Sequence, residues 1–344
     1  MGVANAGNHI ACAHPRSNPV ELRAMDTTGA EAREPAERDV RGAWHSSRMT
    51  TTFSRLVADS PSLIYRAFFA LPQTIRDPGG EPVNAVHGYL DMLSRLLVDH
   101  RPREVVNVFD ADWRPQWRVD AYPGYKAQRR EDPPELPDQF VVIRMLLDAA
   151  GLPVAEAGGY EADDVIGAIA AAAVPDERIA VVTGDRDLFQ LVRDPVVTVL
   201  FPRKGTSDLA RFDEAAVAVK CGVPPGRYVE FAILRGDPSD GLPGVAGVGE
   251  KTAARLVTEY PSLEELVARR GELSPRLAGA LERSGEYLAA MRRVVPVASD
   301  IEYRISPATE PDRDLLTQLA ERHGVTAPVR RLLAALEPAA ANTT

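Results

Sequence analysis

Apolar residues fall into two kinds of run along this chain. The first is short and apolar-rich: Phe53–Ala58 leading to Asp59, Val105–Phe109 leading to Asp110, and Ile179–Thr183 leading to Gly184-Asp185-Arg186-Asp187. Such runs predict strands buried on both faces of a parallel sheet, and a further strand is expected near Val154. The second kind repeats every three or four residues, the helical period. It covers Val83–His100 (Val86, Leu90, Leu93, Leu97), Asp138–Ala150 closed by Gly151, and the Ala-rich stretch after Glu161. Strand and helix alternate, which predicts an α/β fold with a doubly wound, mainly parallel sheet. Past Phe212 the patterns are helical: Asp213–Lys220, Arg227–Leu234, a helix reaching about Glu259, and apolar periodicity through 261–335.

In a doubly wound sheet the carboxyl ends of the strands open on one edge, where ligands bind. Asp59, Asp110, Asp185 and Asp187 each follow a predicted strand, so they converge there. The helix opened by Glu161, Asp163 and Asp164 starts at the same edge. One Asp after a strand is ordinarily a cap, and one acid in a first turn suits the helix dipole at ~0.3–1 kcal/mol. Seven together are different, because like charges ~4 Å apart repel by up to ~4 kcal/mol at an effective dielectric near 20. Hard divalent cations are the partners that carboxylate oxygens bind best.

Composition changes this picture little. At 344 residues, 45% hydrophobic and 26% charged, the chain is long enough for two domains with sizeable cores. No apolar run approaches the ~18 residues of a membrane span, and nothing reads as a signal peptide. Two distant cysteines, Cys12 and Cys221, form no disulfide framework, so a cytoplasmic location is expected. Residues 1–48 lack both periods and read as a disordered extension; translation from Met49 is the alternative. A tail over 336–344 reads the same way. The net charge of −9 argues against a nucleic-acid partner at first sight. Setting aside the nine acids assigned to one site below leaves as many acids as the 40 Lys and Arg, so a basic groove can lie beside an acidic pit.

Two further segments carry chemistry. From Trp113 to Arg130, two Trp, two Tyr and five cations interleave with Pro and Gly. They read either as a solvated loop with snorkelling cations or as a flexible clamp that stacks bases and holds phosphates; beside a metal site the clamp is the better reading. Gly244, Gly247 and Gly249 precede Lys251 and Thr252 at a helix start, a backbone suited to approaching phosphates. It is not a P-loop, because Glu250 stands between Gly249 and Lys251 and no strand precedes it.

Taken in order, Asp59 in Val57-Ala58-Asp59-Ser60-Pro61-Ser62-Leu63-Ile64-Tyr65-Arg66-Ala67-Phe68, Val108-Phe109-Asp110-Ala111, Tyr160-Glu161-Ala162-Asp163-Asp164, Thr183-Gly184-Asp185-Arg186-Asp187-Leu188 and Gly236-Asp237-Pro238-Ser239-Asp240 resemble one family. It is the 5′→3′ exonuclease domain of bacterial DNA polymerase I with its relatives, the flap endonucleases and phage 5′ nucleases. The resemblance spans about 53–335, and with no polymerase region following, a stand-alone member is expected. It implies a PIN-like nuclease domain over 49–222 with a basic arch at about 113–137, then a helix-hairpin-helix (helix-three-turn-helix) and C-terminal helical domain over 223–335. It implies metal ligands at Asp59, Asp110, Glu161, Asp163, Asp164, Asp185, Asp187, Asp237 and Asp240, holding two Mg²⁺ or Mn²⁺. Glu161, Asp163, Asp164 and Asp185 are expected around the first ion, and Asp187, Asp237 and Asp240 around the second, with Asp59 and Asp110 bridging or acting through water. Lys126 and Arg129 match arch cations, with Arg118 just before them and Tyr125 beside them as DNA contacts. The hairpin (Gly244, Gly247, Gly249, Lys251, Thr252) matches the duplex-binding element, which in relatives also holds K⁺. Ser60 stands where the family often has Gly, and Gly241 where Asn is common. The implied function is hydrolysis of DNA at 5′ ends and flaps in replication and repair, by a nucleoid-associated monomer that also meets RNA–DNA primers. A non-catalytic fork-binding protein and a PIN-type ribonuclease are the alternatives.

Overall fold

The computed structural model describes residues 53–129, 131–204 and 208–337. The extension expected over 1–48, the alternative start at Met49 and all of the tail expected over 336–344 except Leu336, which closes the last helix, and Glu337 lie outside them. The chain opens with β1 (Arg55–Asp59), α1 (Ser60–Ala70), α2 (Asn84–His100), β2 (Glu104–Val108), α3 (Gln116–Ala121), α4 (Leu136–Ala149) and β3 (Val154–Glu156). It continues through α5 (Ala162–Ala171), β4 (Ile179–Val182), β5 (Val197–Lys204), β6 (Asp208–Phe212), α6 (Glu214–Cys221) and α7 (Tyr228–Arg235). Then follow α8 (Glu250–Glu259), α9 (Leu263–Ala268), α10 (Pro275–Arg283), α11 (Gly285–Val294), β7 (Arg304–Ile305), α12 (Arg313–Arg322) and α13 (Thr326–Leu336).

The seven strands form one sheet in the order β6-β5-β4-β1-β2-β3-β7. The inner five are parallel, and β6 and β7 join antiparallel at the edges. The chain lays β2 and β3 on one side of β1, then crosses over to lay β4 and β5 on the other. The winding therefore reverses at the β1–β4 seam, the place where a doubly wound sheet offers its ligand crevice.

Side chains alternate across the pleat and divide the core in two. Leu56, Ala58, Val105, Ala180 and Val182 face a layer that includes Leu63 of α1, Leu90 of α2, Ile143 of α4, Leu316 of α12 and Val329 of α13. Val57, Val106, Val108, Val181 and Val199 face the other layer, with Val165 of α5, Val217 of α6, Phe231 of α7 and Leu281 of α10. Both faces of the inner strands are thus covered, which is why these strands read as short apolar-rich runs. Expected among the helices that follow residue 223, α12 and α13 return instead to the layer of α2 and α4.

The hydrophobic pattern does not reveal α1, the β5–β6 hairpin or β7. Asp59 is the last residue of β1 and also the cap of α1, accepting from the Ser62 N–H at 3.2 Å, with Pro61 in the first turn. Strand passes into helix with no intervening loop to mark the change of period. At two residues, β7 is too short to have a period at all. No helix of the described residues is long and apolar enough to cross a membrane.

Candidate active site

Side-chain hydrogen bonds at the β1–β4 seam set the floor of the site. The buried Thr183 hydroxyl donates to Asp59 Oδ2 at 2.6 Å and accepts from the Asp185 N–H at 2.8 Å. The Gly184 N–H donates to Ser62 Oγ at 2.9 Å. Asp185 Oδ1 in turn accepts from the Asp187 N–H at 2.8 Å, folding the Gly-Asp-Arg-Asp turn back over the strand end. Asp110, just past β2, accepts from the Ala162 N–H at 2.7 Å, so it satisfies a donor at the start of α5 and is fixed by it.

The start of α5 is a reciprocal capping box between Glu161 and Asp164. Its two members then diverge in role. Asp164 is fully buried: Arg118 Nη1 and Nη2 donate to its two oxygens at 2.8 and 2.7 Å, and the Ala298 N–H adds a third bond at 2.8 Å. Glu161 accepts from Tyr125 Oη at 2.7 Å and from Lys126 Nζ at 2.5 Å, with Arg118 Nη1 at 3.4 Å.

The last two acids reach the site through a loop that depends on glycine. Gly236 has φ +78 and Gly244 φ +70, and a Cβ on Gly236 would lie 2.4 Å from the Gly244 nitrogen. That approach lets the Asp237 and Leu242 backbones exchange hydrogen bonds at 2.8 Å, closing the turn that carries Asp237 and Asp240. Arg129 Nη2 bonds Asp240 Oδ1 at 2.7 Å, and the Lys126 N–H donates to the Asp240 carbonyl at 2.8 Å.

Eight of the nine expected acids therefore line two adjoining cavities. A cleft of about 820 Å³ is walled by Asp59, Asp110, Glu161, Asp163 and Asp185, with Lys126 and Arg129. A smaller recess is walled by Glu161, Asp163, Asp187, Asp237 and Asp240. Glu161 and Asp163 belong to both. Burial pushes the Asp59 carboxyl up to about 7, the Thr183 bond opposes this, and Asp185 adds to it. Asp163 is raised well above the carboxylate range, first by burial and then by Asp185, Asp59 and Glu161. Asp187 is raised by burial, Asp185 and Asp237. Against eight carboxylates stand Lys126, Arg129, Arg118 at 3.4 Å from Glu161, and Arg235 at 3.9 Å from Asp187 and 3.8 Å from Asp237. Among the described residues no three of these acids form a ready-made cage for one ion. An oxygen-only donor set in excess negative charge fits hard divalent ions that keep waters and share their remaining positions with substrate phosphate, the habit of Mg²⁺.

Three expected roles change. Asp164 has its oxygens committed to Arg118 and to backbone N–H groups and lines neither cavity, so it orders the helix start instead of ligating an ion. Arg118 is 3% exposed, with Nε on the Val294 carbonyl at 3.1 Å, and its guanidinium is spent on Asp164 at the wall of the recess. Tyr125 is 4% exposed with its hydroxyl on Glu161, and offers no face to a base. The segment read as a flexible clamp is anchored by these contacts and by α3. Of the hairpin residues, Gly244 packs on Gly236 in the acid-bearing loop, and the rest lie apart from the cleft: Gly247 has φ +80 beside the Arg276 guanidinium, Lys251 is exposed, and Gly249 caps α8, where Thr252 occupies the first turn. Sequence reasoning missed Thr183 and Arg235; Thr183 lies inside the quoted Thr-Gly-Asp motif, where its place before the glycine was the available signal.

Residues 54–222 match the family model for the N-terminal resolvase-like domain of 5′-3′ exonucleases, and 223–314 the model for their C-terminal SAM fold. A 5′-3′ exonuclease of Streptomyces coelicolor is 44% identical over 301 residues, covering 82% of this chain and 99% of that one. A 5′-3′ exonuclease of Mycobacterium tuberculosis is 41% identical, covering 82% and 97%. DNA polymerase I of Mycobacterium bovis is 42% identical over 77% of this chain, which is 30% of the polymerase. Two solved structures share the fold: T5 5′-exonuclease with bound zinc ions (TM-score 0.59, 17% identity, 82% and 99% covered) and the catalytic core of Rad2 with DNA substrate (TM-score 0.54, 18%, 85% and 96%). With both family models matched in succession and a curated relative spanned almost end to end, the chain belongs to the 5′-3′ exonuclease family.

Proposed function

We propose that this 5′-3′ exonuclease hydrolyses DNA at free 5′ ends and at 5′-flap junctions, with two Mg²⁺ or Mn²⁺ ions in the paired cavities. The observation that carries this reading is the division of eight carboxylates between two adjoining cavities that share Glu161 and Asp163. Asp59, Asp110 and Asp185 would serve the larger cleft and Asp187, Asp237 and Asp240 the recess. Such ions supply Lewis acidity toward the scissile phosphate and an activated water at neutral pH. The chain's own part is to hold and orient. Lys126 and Arg129 are fixed at the cleft by Glu161 and Asp240, so an incoming phosphate meets two positioned cations as it displaces these partners. The fixed Thr183 bonds keep Asp59 and Asp185 in register across the seam.

The hairpin and the start of α8 would bind duplex backbone without reading sequence, which makes binding salt-dependent. Potassium at the hairpin, action on RNA–DNA primers, a monomeric state and a cytoplasmic, nucleoid-associated location extend this reading on the family resemblance. The test is a labelled 5′-flap duplex incubated with Mg²⁺, with EDTA, and with the Asp185→Ala variant. Cleavage in Mg²⁺ alone is expected. Products that persist in EDTA or with the variant contradict the reading, and binding without cleavage in any condition returns the non-catalytic alternative.

A further inference from the structure

Four aromatic side chains fall between residues 113 and 125, and the fold commits three of them. Tyr125 is buried on Glu161; Trp117 lies against Arg118 at 4.4 Å and Tyr160 at 6.2 Å; Tyr122 meets the edge of Tyr287 at 6.2 Å. Trp113 differs. It is 51% exposed, it lines the cleft that holds Asp59, Asp163 and Asp185, and its ring has no aromatic or cationic partner among the described residues.

This exposure is not looseness. The Trp113 carbonyl accepts from Lys126 Nζ at 3.3 Å, the same ammonium that holds Glu161. On one side the Asp112 N–H donates to the Tyr160 carbonyl at 3.2 Å. On the other, Arg114 Nε and Nη2 donate to the Tyr125 and Pro123 carbonyls at 2.6 and 3.0 Å. A large flat ring is thus held at the cleft wall by a pinned backbone, so little ordering is left to be done when a ligand meets it. Phe140 and Tyr65 line the same cleft with their rings 5.9 Å apart, and the Tyr65 hydroxyl donates to Asp132. The two rings offer an apolar wall suited to a neutral base, while Lys126 and Arg129 are the cations that the same cleft offers to a phosphate.

We propose that Trp113 stacks on the unpaired base next to the scissile phosphate, positioning the strand with its base toward the Phe140 wall and its phosphate toward Lys126. This rests on the 5′ nuclease reading above and adds a substrate-contacting residue to it. Stacking on a protein aromatic implies an effect of about tenfold per base.

The experiment uses the full chain and two labelled 5′-flap duplexes, one with natural bases and one abasic at the flap nucleotides adjoining the junction. Wild type is expected to show about a tenfold higher KM on the abasic flap. Trp113→Ala should show that same rise on the natural flap, with kcat within twofold and no further loss on the abasic one. Trp113→Phe should recover most of the KM. An unchanged KM for Trp113→Ala, or losses that multiply on the abasic flap, overturns the assignment. If wild type cleaves neither duplex, the nuclease reading fails instead. Dissociation constants for the same duplexes in Ca²⁺ then decide the stacking: the tenfold pattern supports it and equal affinities refute it.

Discussion

Replacing Arg118 by Met sets the sequence expectation directly against the structure. As a DNA contact, Arg118 should contribute little to stability, and its loss should weaken DNA binding and lower the salt slope by about one phosphate, roughly 0.9. The structure places it instead at the centre of a buried charge group, 3% exposed, with Asp164 at 0% and Glu161 at 4%. Met roughly fills the space but leaves Asp164 a buried carboxylate with no cation, a change that costs about 3–5 kcal/mol. A domain of this size has ~5–15 kcal/mol to lose, and each kcal/mol moves the melting temperature by roughly 2–4 °C. Arg118→Met should therefore melt roughly 10 °C lower in a calorimetric or fluorescence scan. Adding Asp164→Leu removes the stranded charge, so the double variant should recover more than half of that loss. A variant that keeps its melting temperature while its DNA affinity and salt slope fall would refute the buried-pair argument and restore the DNA-contact role.

Three further outcomes follow from the site. The Asp59, Asp163 and Asp187 carboxyls have folded pKa values above their unfolded ones, so each favours folding below the unfolded value near 3.8, and that gain is lost as pH rises, for Asp59 through about 7. In EDTA the melting temperature should therefore fall between pH 5.5 and 8, with roughly 2 kcal/mol from Asp59 alone inside that window, and Mg²⁺ should flatten the dependence; a rise over that interval in EDTA contradicts the electrostatic account. Lys126→Ala should lower flap cleavage by roughly 100-fold or more while duplex affinity stays within about threefold, and equal losses in both would remove its role at the scissile phosphate. Thr183→Val takes a bond from Asp59 and leaves the Asp185 N–H unpaired, so the urea midpoint should report a loss of about 1–3 kcal/mol; no change would mean that the seam does not depend on this hydroxyl.

What the amino-acid order determined by itself was periodicity and punctuation. Short apolar-rich runs ending in Asp59, Asp110 and Gly184-Asp185 sufficed for a parallel sheet, because a strand covered on both faces has no polar side to show. The rule that such strands open their carboxyl ends on one edge then brought the acids together without coordinates. What only the tertiary structure decided was the division of labour among like residues. Asp163 and Asp164 are neighbours of identical chemistry, yet a helix turns by about 100° per residue, so one points into the cleft and the other into the packing beneath Arg118. The same holds for the aromatics: Tyr125 and Trp113 are equal candidates for a base in the sequence, and burial on Glu161 removes the first while the cleft exposes the second. Partners far away in the chain, such as Ala298 for Asp164 and Val294 for Arg118, make these choices, and no local pattern encodes contacts at that separation.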